Sequence, residues 1–80
     1  MTTIEERIDE VLVTIRAEVL RAMKKHPCTC KSAHHHFAVL KEEVDELWDN
    51  VKTDDTEGAD VEAVHVGAMA VRFIVETWRE

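Results

Sequence analysis

Glu42, Glu43 and Glu46 fall within about one turn of a helical pattern, and none of them has a Lys or Arg three or four residues away. A solvated helix face ordinarily supplies such a partner, as Lys41 does for Asp45 and Lys52 for Asp49. Glu42 and Glu46 are themselves a like-charge pair four residues apart, a conflict that a divalent cation would remove. Clustered carboxylates are the hard oxygen ligands that Mg²⁺ takes. Further along, Glu62, His65, Met69, Arg72 and Glu76 form a narrow polar strip on an otherwise apolar helical pattern, expected to face the three glutamates. The bland alternatives are a solvated acidic face for the first group and a partnered core network for the second.

Three elements must position these residues. Thr2 and Thr3 precede Glu5 and Glu6 at capping-box spacing, so a first helix is predicted over about 3–25. Its expected buried stripe is Ile4, Ile8, Val11, Ile15 and Val19, with Leu12 and Met23 alongside, and Pro27 ends it. Ser32 is the expected N-cap of a second helix over about 33–52. Its apolar seam, Phe37, Leu40, Val44, Leu47 and Val51, should be buried, with Glu42, Glu43 and Glu46 roughly opposite. Thr53 to Gly58 is polar and reads as a loop. The third helix, about 59–78, has its seam at Val61, Val64, Ala68, Val71, Val75 and Trp78, with apolar residues extending most of the way around. So much apolar surface in a chain of 80 residues implies a second subunit to cover it.

Glu42-Glu43-x-x-Glu46 followed by Leu-Trp resembles the first metal motif of the MazG-type nucleotide pyrophosphohydrolases, within the all-α NTP pyrophosphatases. That family follows it with a helix bearing Glu-x-x-Asp, to which Glu62-Ala-Val-His65 is similar, with His65 in the place of the Asp. The resemblance covers about Ala33 to Trp78 and implies one all-α domain, residues 1–80, that assembles as a homodimer or homotetramer. It implies hydrolysis of a nucleoside triphosphate to monophosphate and pyrophosphate, with Mg²⁺ as cofactor. Glu42, Glu43, Glu46, Glu62 and His65 would be the metal ligands, and one of the first three would orient or deprotonate water. Imidazole in a ligand position favours Mn²⁺ over Mg²⁺. Arg72, Lys41 and Lys52 are candidates for phosphate contacts or else surface and intersubunit charges, and Trp48 for stacking on a base or for widening the core stripe beside Val44. A non-catalytic homologue that binds nucleotide or a protein partner is the alternative, because a ligand is replaced.

Ten Lys and Arg against seventeen Asp and Glu give a net charge of −7, which argues against nucleic acid or anionic membrane as a partner. An anionic nucleotide would need metal as an intermediary. The sequence shows neither a membrane span nor a signal peptide's apolar core, so a cytoplasmic location is expected. Cys28 and Cys30, with His26 and His34 to His36, are a rival soft-ligand set for zinc in a helical interaction module. Cys-x-Cys is tighter than the spacing structural zinc sites use, and three successive histidines on a helix point in different directions.

Overall fold

The computed structural model describes residues 1–27 and 32–77, and these form three α-helices: α1 (Ile4–Lys25), α2 (Ala33–Lys52) and α3 (Thr56–Glu76). The described residues contain no strand. Cys28, Cys30 and Trp78 lie outside the described residues, and with them the two thiols of the zinc alternative, though not its histidines, and the last residue of the third seam.

Local chemistry accounts for the helix starts. Thr3 caps α1, its hydroxyl accepting the Glu6 amide at 3.1 Å while the Glu6 carboxylate reaches back to the Thr3 amide at 3.5 Å. Lys24 and Lys25 place positive charge at the other end of that helix dipole. The Ser32 hydroxyl accepts the His35 amide at the start of α2. α3 begins at Thr56, earlier than the sequence pattern suggests, because the Asp55 carboxylate accepts the Gly58 amide at 2.9 Å and draws residues 56 to 58 into the first turn. A Cβ on residue 58 would run into that carboxylate, which gives Gly58 its place. Asp55→Ala is expected to cost about 1 kcal/mol of stability, seen as a lower urea midpoint with an unchanged slope. An unchanged midpoint would mean that the cap contributes nothing.

α3 lies between α1 and α2, which do not pack on one another. At the α1 crossing, Gly67 allows close approach of the Ile15 side chain. The buried stripes differ from those expected. On α2 the residues turned inward are His36, Val39, Leu40, Glu43, Leu47 and Asn50. Phe37, Val44 and Val51 are about half exposed, and Trp48 shares their side of the helix. The physical reason is that α2 meets α3 through an arc adjacent to its most apolar one. On α1 only the C-terminal half meets α3: Ile15, Val19, Ala22 and Met23 are covered, whereas Ile4, Ile8, Val11 and Leu12 are exposed. On α3, Val61, Val71 and Val75 are exposed, while Val64 and Ala68 are covered.

The chain is thus an open layer of helices measuring 41 × 29 × 21 Å, with a radius of gyration of 13.8 Å. A compact domain of this length would have a radius of about 11.6 Å. The fully covered apolar residues are few and small, Val19, Ala22 and Ala68.

Candidate metal centre

The inner arc of α2 carries Glu43, and the facing arc of α3 carries Glu62 and His65 one turn apart. These three side chains each offer a ligand atom, all within 4.8 Å of one another. His65 Nδ1 stands 3.2 Å from Glu62 Oε2 and 3.5 Å from Glu43 Oε2. On the ring's other side, Nε2 is 3.7 Å from Glu18 Oε1 of α1. Two oxygens and an imidazole nitrogen from facing helices suit a divalent ion.

Glu43 Oε2 is buried and has no hydrogen-bond partner among the described residues. Its 3.5 Å contact with His65 Nδ1 is not a hydrogen bond, and a buried carboxylate oxygen that accepts none is costly in a folded chain and ordinarily marks a place where a proton or cation belongs. Burial pushes the Glu43 carboxyl up to about 7, helped by the adjoining Glu62 carboxylate and the charge of Glu46, while His65 pulls the other way. Glu18 is drawn below the usual carboxylate range, chiefly by its two-pronged bond to Arg21 at 2.8 and 2.5 Å.

A cleft of about 420 Å³ opens beside the cluster. Glu43, His65 and Glu18 line it together with Arg21, His26, His35, His36 and Arg72, while Val39, Ala22 and Met69 supply apolar wall. It therefore combines carboxylates and cationic groups in one opening.

Arg72 and His36 are buried and held by one carboxylate. Glu76 Oε1 accepts Arg72 Nε at 2.5 Å, and Glu76 Oε2 lies 2.7 Å from His36 Nε2. Arg72 Nη2 also donates to the carbonyl of His26, the C-cap of α1. His36 Nδ1 meets the Ser32 carbonyl at 2.9 Å. Each of these two partner atoms is an acceptor that can take an N–H from the ring. This network ties the ends of all three helices together.

Of the residues singled out from sequence, Glu43, Glu62 and His65 come together. Glu42 and Glu46 are exposed and do not line the cleft, although Glu46 is near enough for its charge to act on Glu43. Lys41 is exposed and bonded to Asp45 at 3.0 Å, Lys52 pairs with Asp49 at 3.1 Å, and Trp48 is exposed away from the cleft. Glu18 carried no expected role, and His36 was expected only as one of the soft ligands of the rival zinc set. Glu18 reads in sequence as half of an ordinary i,i+3 pair with Arg21, and only the crossing of α1 over α3 brings it to His65. No family model, curated protein or solved structure matches this chain.

Proposed function

We propose that the chain is a MazG-type nucleoside triphosphate pyrophosphohydrolase, dependent on a divalent cation and acting in the cytoplasm, that releases nucleoside monophosphate and pyrophosphate. The observation that carries this reading is Glu43 Oε2, buried without a hydrogen bond among the described residues beside Glu62 and His65, at a cleft that also holds cationic side chains. When bound, a divalent ion supplies Lewis-acid polarisation of phosphate and a more acidic water. Glu43, Glu62 and His65 would hold it, with the imidazole favouring Mn²⁺ over Mg²⁺. One of the three α2 glutamates would orient or deprotonate the attacking water: Glu43 lines the cleft, whereas Glu42 and Glu46 stand exposed outside it and would contribute through their charge. Arg21 at the cleft lip offers a cation to the phosphate chain. Arg72, held by Glu76 and the His26 carbonyl, contributes positive potential from a fixed position.

The same reading includes a homodimer or homotetramer. Ile4, Ile8, Val11 and Leu12 on α1, Phe37, Val44, Trp48 and Val51 on α2, and Val71, Ile74 and Val75 on α3 are all exposed in the single chain. Each is about half exposed, so leaving it in water forfeits about half of the 1.5–3 kcal/mol that full burial brings. Light scattering at micromolar concentration should report at least a dimer, and a well-folded monomer would remove this part of the proposal.

A second reading has its own support. His65, when protonated, is a built-in cation among Glu18, Glu43 and Glu62, and can neutralise the cluster without metal. That is what a non-catalytic homologue that binds nucleotide or a protein partner would retain. A panel of ribo- and deoxynucleoside triphosphates with Mg²⁺ or Mn²⁺, scored for pyrophosphate, separates the two. The enzyme reading expects turnover with Mn²⁺ above that with Mg²⁺, and His65→Asp should raise Mg²⁺ affinity and Mg²⁺-supported turnover. Background release by both proteins under both metals would favour the non-catalytic reading.

A further inference from the structure

We propose that Glu18 is a positioning residue for His65: it accepts the Nε2–H of the ring and so presents the Nδ1 lone pair to the divalent ion held by Glu43 and Glu62. This rests on the metal-centre reading above and adds a residue from α1, outside both motifs, to the site.

The argument begins with the two faces of the imidazole. Nδ1 looks toward two carboxylates on α2 and α3, at 3.5 and 3.2 Å, and Nε2 toward one on α1, at 3.7 Å. A neutral imidazole carries one proton and one lone pair, and only the lone pair binds metal. In the ion-free arrangement Nδ1 lies 3.2 Å from a Glu62 oxygen, an acceptor that favours the tautomer with its proton on Nδ1. An ion seated between Glu43 and Glu62 needs the Nδ1 lone pair, so the proton must move to Nε2. That N–H then faces α1, where Glu18 Oε1, 3.7 Å away, is the carboxylate oxygen that can accept it. The bond requires the two atoms to come about 0.7 Å closer when the ion is seated.

Glu18 is suited to that task because it is itself held. Arg21 grips both of its oxygens, and its side chain is 15% exposed against 56% for Arg21. Arg21 thereby neutralises Glu18, leaving the Glu43 and Glu62 side as the more negative side of His65 and the place for the cation. A carboxylate that orients a metal-bound histidine raises the basicity of the ligating nitrogen, and its loss ordinarily costs about 10–100-fold in metal affinity.

The test uses full-length protein with labelled histidine, titrated with Zn²⁺ as a diamagnetic probe and followed by long-range ¹⁵N–¹H correlation of the His65 ring. Reading affinity from the His65 signals themselves keeps zinc bound elsewhere out of the measurement. In wild type, Zn²⁺ should move the Nδ1 resonance and leave the proton on Nε2. Glu18→Ala combined with Arg21→Ala, which avoids leaving an unpaired cation, should weaken Zn²⁺ at His65 about 10–100-fold. Glu18→Gln combined with Arg21→Ala keeps an acceptor oxygen and should recover part of that loss. Zn²⁺ on Nε2 in wild type, a decision that needs no variant, overturns the proposal, as does unchanged affinity in the alanine pair. A wild-type ring that does not respond to Zn²⁺ at all overturns the metal centre as well, so the two failures are told apart.

Discussion

Glu76→Ala is expected to destabilise the protein by about 3–5 kcal/mol, the cost of leaving buried charge without its counter-ion. Arg72 is 8% exposed and His36 6%, and both direct a nitrogen at the Glu76 carboxylate. Removing that carboxylate leaves the guanidinium with the His26 carbonyl and takes from His36 the partner of its Nε2. Because α1 ends at His26 and α2 begins beside Ser32, the loss also loosens the attachment of both helices to the end of α3. A chain of this length is stable by about 4–12 kcal/mol in all, so the variant should be near its unfolding limit. Replacing both charges, as in Arg72→Met with Glu76→Leu, should lose less than the single variant, since no guanidinium is then stranded. Urea unfolding of the three proteins checks the order. A Glu76→Ala cost under about 1 kcal/mol would mean that water screens this pair as it screens a surface one.

Helix existence and helix starts were legible because they are local: Thr3 with Glu6, and Ser32, sit within a few residues of the amides they cap. The exception, the start of α3, turned on Asp55, whose cap on Gly58 is as local but lies in a stretch whose composition reads as loop. Which face packs on which neighbour is not local. Apolar periodicity selects Phe37, Leu40, Val44, Leu47 and Val51 as the α2 seam, and of these Leu40 and Leu47 do turn inward, but they do so beside His36, Glu43 and Asn50 while Phe37, Val44 and Val51 stay exposed. The periodicity marked a face that water disfavours without saying what covers it. The lack of a basic neighbour marked Glu42, Glu43 and Glu46 alike, and only the rotation of α2 against α3 singles out Glu43. Glu18 was hidden for the opposite reason, because Arg21 gave it a sufficient local explanation.

Glu43→Gln should stabilise the metal-free protein at pH 8 while abolishing its response to metal. The sign follows from the direction of the shift. The Glu43 carboxyl has an ordinary value of 4.5 and rises to about 7 in the fold, so the folded state holds the proton more tightly than the unfolded chain. Wild-type stability is then full below about pH 4.5, falls as pH rises through the window to about 7, and stays at the lower level above it. Gln mimics the protonated shape and carries no charge, so this contribution to the slope should disappear. With the side chain 24% exposed, screening by water limits the gain at pH 8 to about 1–2 kcal/mol. Mn²⁺ acts in the other direction on wild type, since binding to the folded state alone adds about 2.7 kcal/mol at one hundred times the dissociation constant. The variant has lost a charged ligand and should show little of that gain. Under the proposed reaction its pyrophosphate release should drop by about 100-fold or more, about 2.7 kcal/mol of transition-state stabilisation. Thermal unfolding at pH 5 and pH 8, with and without Mn²⁺, measures the first two effects on the same protein. A variant that keeps the full Mn²⁺ shift would remove Glu43 from the site. One that is no more stable than wild type at pH 8 without metal would show that the buried Oε2 carries no electrostatic penalty, and with it would go the observation on which the metal centre stands.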